Sequence, residues 1–283
     1  MFIFHLFRSF IPGRNPIGFG ASDFVELAFA LVLVLLWVAS RPWIEPYGRR
    51  LAQRTAWSML VLAVLPVALR LALLPQYPIP SPGVSDDFSY LLLADTLRHF
   101  RLANPPHLLP QFFESFFILQ QPAYASIFPL GQGIALAIGW IVFGHPWAGV
   151  ALSVGAFCAL CYWMLRAWVE PGWAFLGGLL AVIEFGPLNQ WMNSYWGGAV
   201  SALAGCLVFG ALPRMVASQR RRDAALLGTG IGLEMLSRPY ESVFLTASVL
   251  LFFIPAAASR ANLKRLARVV PIAAAALAPA LVL

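Results

Sequence analysis

The sequence predicts an all-α, polytopic transmembrane bundle of about eight spans, with further helices lying on the outer face. Three observations carry this expectation. Charged residues make up 11% of the chain and hydrophobic ones 60%, whereas a soluble domain is roughly 25% charged and needs that polar surface against water. The apolar residues stand in continuous runs, which excludes a disordered chain and the strict alternation of a transmembrane barrel. The arginines cluster mostly between the runs rather than within them.

In chain order, the first 23 residues are aromatic and basic (Arg8, Arg14) but lack a long apolar core and a small-residue cleavage site, so no cleaved signal peptide is expected. An apolar helix over 24–40 belongs to an N-terminal segment, 1–55. The runs 56–74, 148–165, 173–187, 198–216, 224–237, 242–258 and 269–283 supply the remaining spans of a membrane domain over 56–283. The run 130–143 is short and glycine-rich (Gly131, Gly133, Gly139, then Gly144), which predicts a re-entrant or interfacial helix. The chain stops inside its last apolar run, fifteen residues long from Val269 to Leu283. At about 1.5 Å per residue this falls short of a ~30 Å hydrocarbon core, so the 283 residues are expected to be the N-terminal, donor-handling part of a longer protein or a truncated gene product.

Orientation follows from basic residues. Arg41, Arg49, Arg50, Arg54, Arg166, Arg214, Arg220, Arg221, Arg222, Arg260, Lys264, Arg265 and Arg268 are thirteen of the nineteen, and they share one side if 130–143 does not cross. The net charge of +7 then marks cytoplasmic loops rather than a nucleic-acid footprint. The other side receives the long loop 75–147, with Asp86, Asp87, Asp95 and Glu114, together with 188–197 and 238–241. Cys158, Cys161 and Cys206 lie in apolar runs and read as small hydrophobes, since no second pair or nearby His completes a ligand set.

The chemistry-bearing residues gather on that second side. Asp86 and Asp87 follow the 56–74 helix, where adjacent carboxylates bind a cation, act as a base, or face water as a turn or helix cap. Downstream come Gln121 to Gly133, Phe143 to Gly149, Trp191 to Gly198 and Ser237 to Glu241, each rich in polar and aromatic side chains. Trp191, Tyr195 and Trp196 suit an interfacial belt or a sugar platform. Arg70, Glu184 and Glu234 are ionisable groups inside apolar runs and therefore candidates for function or for helix-to-helix hydrogen bonds. Arg98 is a further cationic candidate. No phosphate-loop, zinc-protease, hydrolase-elbow or dinucleotide fingerprint occurs.

The order of these features resembles the C-type glycosyltransferase superfamily over about residues 56 to 240. An acidic pair just after an early helix leads into a long outer loop, a Pro-aromatic segment, a Gly-rich helix and the Phe143–Gly144 turn. The likeness is to a bacterial branch of mannosyltransferase- and aminoarabinose-transferase-like proteins. The resemblance implies a bacterial plasma-membrane enzyme working on the periplasmic face. It would move a sugar from a polyprenyl-phosphate donor to an envelope glycan, lipid or protein acceptor, with inversion. Asp86 matches the position of the catalytic base, and Asp87 stands where the family commonly has Glu. Tyr90 matches the family's following tyrosine. Substrate contacts are expected from Arg238, Tyr240, Tyr90, Gln121, Tyr124, His145, Asn193, Tyr195 and Trp196. No cofactor is certain; a divalent cation, where one is used, would sit on Asp86 and Asp87. Membrane lipids are the other partners. The alternative reading is a transporter or flippase of a lipid-linked or small polar substrate, which favours internal repeats and midplane polar residues.

Overall fold

Proline and glycine set where the helices begin and end. The computed structural model describes residues 21–218, 220–257 and 260–282; Arg8 and Arg14 lie outside the described residues. The chain divides into two units, residues 1–53 and 54–283. In the first, helix α1 (Ala21–Gln53) runs through Pro42 and Pro46 and bends by 74° between Leu27–Trp43 and Glu45–Gln53, as expected where prolines remove backbone donors. Glu45 there pairs with Arg41 at 2.8 Å and Arg49 at 2.5 Å.

The second unit holds α2 (Thr55–Ala72), α3 (Ser85–Arg98), a two-residue hairpin pairing Ile118–Leu119 with Ala125–Ser126, α4 (Leu130–Phe143), α5 (Pro146–Leu165), α6 (Pro171–Phe185), the single turn α7 (Gln190–Asn193), α8 (Ala199–Ser218), α9 (Arg221–Ser237), α10 (Pro239–Ala257) and α11 (Arg260–Val282). The α4–α5 corner turns on Gly144, whose φ of 77° a side chain would strain, followed by Pro146 at the first helical position. Pro171 and Pro239 open α6 and α10 in the same way.

Among the described residues, three helices, α2, α5 and α8, are long and apolar enough to cross a bilayer, or four if the bent α1 pair counts as one span. Expected spans at 173–187, 242–258 and 269–283 fold as shorter apolar stretches in α6, α10 and α11, because the helix-starting prolines and the Gly186 break cut the runs, and the expected non-crossing run 130–143 is the equally short α4. The 224–237 run lies in α9, which carries Arg221, Arg222, Asp223 and Glu234 and does not pass as a span.

Close contacts fix the direction of each neighbour. Gly155 of α5 lies against the Ala63 carbonyl, and Arg70 sits 5.1 Å over the Trp147 ring, so α2 and α5 are antiparallel. Trp147 at the start of α5 bonds Met192 just before α8 while Trp163 near its end covers Gly210, which makes α5 and α8 parallel; Ser201 bonds Glu234 while Ala204 lies against Gly230, which makes α8 and α9 antiparallel. Gly139 and Gly149 bring α4 and α5 backbone to backbone, where any Cβ would collide with the partner's main chain. Small residues at helix contacts are the membrane route to dispersion attraction, since lipid offers no hydrophobic drive between helices. The main core, with Leu62, Leu136, Val154, Cys158, Tyr162 and Met192, lies among these elements, and a second cluster of Trp163, Val208, Ala211 and Ile231 joins α5, α8 and α9.

These directions bring the C-terminal ends of α2 and α9 together with the N-terminal ends of α5 and α8. The opposite end carries Arg54, Arg166, Arg214 and Arg220 to Arg222. The bundle therefore has a basic end and a mixed polar end.

Candidate functional site

The polar end is organised around Asp87. Helix α3 starts after Val84, and Asp87, three residues in, reaches back: its Oδ2 accepts the backbone N–H of Gly83 at 3.0 Å and of Val84 at 3.4 Å. A carboxylate here also meets the positive end of the helix dipole. Its Oδ1 accepts the Tyr195 N–H at 2.8 Å, tying α3 to the segment before α8. With side-chain exposure of 5% and three donors, Asp87 is a structural anchor. Of the two carboxylates that would hold a divalent cation if one is used, Asp87 directs both oxygens at backbone N–H groups, and no group of three His, Cys, Asp or Glu suited to a metal occurs among the described residues.

Tyr195 belongs to the same anchor. Its hydroxyl donates to Pro80 O at 2.9 Å and its carbonyl accepts from the Gln132 amide at 2.9 Å. Burial, followed by the Asp87 charge, pushes the phenol up to about 12. Asn193 is likewise committed. Its oxygen accepts from Arg70 Nε at 2.9 Å, and its amide donates to Pro187 O and Asn189 O. Arg70, 1% exposed, completes its coordination with the carbonyls of Tyr77 and Pro78 at 2.8 and 2.9 Å. Arg70, a candidate for function or for helix-to-helix hydrogen bonds, thus directs its donors at two carbonyls and the Asn193 amide and lies over the Trp147 face. Tyr195 and Asn193, both expected as substrate contacts, hold the frame through these bonds.

What remains open to a ligand is the other face of α3. At about 100° per residue, Asp86 falls between the face of Ser85, Phe88 and Leu92 and the face of Tyr90. The first face lines a cavity of about 620 Å³ with Gly83, Val84, Phe112, Phe113, Glu114, Ser115, Ile118 and Tyr124. On the second, Tyr90 stacks on Phe128 at 4.3 Å with the planes 5° apart. Burial pushes the Tyr90 phenol up, Arg238 pulls it down and Asp86 pushes it up again, which puts both charges within electrostatic reach of one hydroxyl. Arg238 is exposed and pairs with Glu241 at 3.2 Å. It follows α9 directly, whose last residue Ser237 lies against Gly131 of α4, with its hydroxyl buried and unpartnered.

The remaining expected residues distribute around this centre. Tyr124 walls the cavity, its backbone paired with Asn104 and its phenol pushed up by burial. Tyr240 is 85% exposed beside Arg238. Trp196 and Gln121 are exposed at the polar end, and His145 caps α5 through Nδ1, which accepts the Trp147 N–H at 3.1 Å. Arg98 is taken up by Asp95 and by the Trp140 ring, 3.9 Å away, and Glu184 is exposed on α6.

No protein-family model, curated protein or solved structure matches this chain.

Two participants were not singled out from sequence, Gln132 and Trp147. Gln132 is buried with its Oε1 unpartnered; a glutamine between two glycines in an apolar run was the available signal. Trp147 donates its indole N–H to Met192 O at 2.9 Å. Cys206 meets Cys161 across the α5–α8 contact, a thiol neighbour that sequence spacing does not reveal.

Proposed function

We propose that the chain is an integral-membrane glycosyltransferase that takes a sugar from a polyprenyl-phosphate donor to an acceptor hydroxyl on the outer, periplasmic face of a bacterial plasma membrane. The supporting observation is the division of labour within the acidic pair. Asp87 is consumed by three backbone donors, while Asp86 stands half-exposed between an aromatic-walled cavity and the Tyr90–Arg238 group.

In this arrangement the acceptor lies in the cavity, its ring faces against Phe88, Phe112, Phe113 or Tyr124 and its hydroxyls within reach of Ser85 and Glu114. Asp86 removes the proton of the attacking hydroxyl, an effect worth roughly 10²–10⁴-fold. The oxygen forms its bond to the anomeric carbon as the bond to the donor phosphate oxygen breaks on the opposite side, inverting that carbon. Arg238 meets the charge that develops on the leaving phosphate. Asp86→Asn keeps shape and removes basicity. Transfer measured with purified chain in nanodiscs is expected to fall by about 10²-fold or more with the fold retained; near-normal transfer by this variant would remove the mechanism.

A further inference from the structure

The basic end of the bundle carries a second concavity, of about 590 Å³, that sugar transfer does not use. It lies at the turn between α5 and α6, lined by Arg166, Ala167, Trp168, Val169, Glu170 and Trp173. Arg166 Nε is buried there without a hydrogen-bond partner. Glu170 faces the same hollow, and the ion pairs among the described residues include none between the two. A cation and an anion that line one cavity without meeting leave room for a ligand carrying both signs.

The surroundings define the rest of that ligand. Arg214, within electrostatic reach of Arg166, already donates to Gly210 O and Trp163 O and lies over the Trp163 ring, so its charge is directed away from the hollow. Trp168 is held by its indole N–H on Phe209 O at 2.9 Å and by edge contact with Phe252, which makes it a fixed wall. From Trp173 an exposed apolar stripe runs along α6 through Leu176, Leu180 and Ile183. Their 3, 4, 3 spacing keeps them on one helix face for about 15 Å. A charged hollow at the head of an apolar stripe suits a molecule with a polar head and an alkyl tail.

We propose that this concavity binds an aminophospholipid: the phosphate on Arg166, the primary ammonium on Glu170, and an acyl chain along Trp173, Leu176, Leu180 and Ile183. A purely anionic headgroup would pair with Arg166 but leave the Glu170 carboxylate without an opposite charge. A quaternary ammonium has no N–H for the carboxylate. Only a head with both a phosphate and N–H donors satisfies both walls.

The test is a native mass-spectrometry titration of the purified full chain with phosphatidylethanolamine, phosphatidylcholine and phosphatidylglycerol of matched acyl chains, and with glycerophosphoethanolamine as the soluble headgroup. Wild type is expected to hold phosphatidylethanolamine about tenfold more tightly than either other lipid, the worth of one charge-assisted hydrogen bond. Glu170→Gln should bring phosphatidylethanolamine and phosphatidylcholine to within about twofold, and Arg166→Gln should weaken all three lipids. Equal wild-type affinity for phosphatidylethanolamine and phosphatidylcholine, a preference for phosphatidylglycerol, or full-strength binding of the soluble headgroup would overturn the assignment. The wild-type comparison stands even if a variant fails to fold.

Discussion

Asp86 and Asp87 are neighbours with identical side chains, and substituting them separates scaffold from chemistry. Asp87→Ala strips acceptors from three backbone donors, Gly83 N, Val84 N and Tyr195 N. Each buried donor left unpaired costs about 1–3 kcal/mol. The Gly83 and Val84 donors lie at the partly exposed start of α3 and recover some of this from water, so the total should be about 3–5 kcal/mol. Asp87→Asn keeps one oxygen but turns an NH₂ toward donors, for about 2–3 kcal/mol. Asp86 makes no such bonds among the described residues, and Asp86→Asn should change stability by no more than about 0.5 kcal/mol. Reversible unfolding in mixed micelles, followed by tryptophan fluorescence, measures all three. Because Asp87 ties α3 to the segment before α8, its variants should also lose transfer, and a stabilising lipid environment should partly restore it. A stability loss in Asp86→Asn equal to that in Asp87→Asn, or none in Asp87→Ala, would refute the assignment of roles.

Further expectations follow from the packing and the ionisation of the same end. Gly149→Ala places a methyl against the Ala135 carbonyl and the Leu136 backbone, which cannot yield like a side-chain tip, so it should cost about 1–3 kcal/mol or more; Gly205→Ala, in open space on α8, should stabilise by up to about 1 kcal/mol in the same unfolding assay. The Tyr195 phenol ionises near 10 when unfolded and at about 12 when folded, so the folded state favours its protonated form. That contribution is fully present below pH 10 and is lost as pH rises through about 12, a fall on the order of 2–3 kcal/mol. Tyr195→Phe should flatten the loss, read by unfolding against pH. Single cysteines at Tyr240 and Arg221 should label from opposite faces of membrane vesicles; labelling of both from one face would contradict the bundle's polarity.

Much of this protein is legible locally. Pro146, Pro171 and Pro239 open helices, Gly144 closes one, and Arg54, Arg166, Arg214 and Arg220 to Arg222 collect at one end because these are properties of single residues and near neighbours. The gathering of Asp86, Gln121 to Gly133, Trp191 to Gly198 and Arg238 at the other end follows from counting helices between them, and the helix directions agree with it. The number of bilayer-length helices was less legible, because hydropathy marks apolar runs while helix length depends on where each run is broken. What only the tertiary structure decided are contacts across long sequence separations. Whether Asp86 or Asp87 is buried depends on which meets Tyr195 N, 108 residues away, and Arg70 meets Asn193, 123 residues away. Cys206 reached Cys161 in the same manner. Sequence periodicity fixes which face of a helix a side chain occupies, but the identity of the group opposite is set by packing, and at this site that opposite group separates a structural carboxylate from an available one.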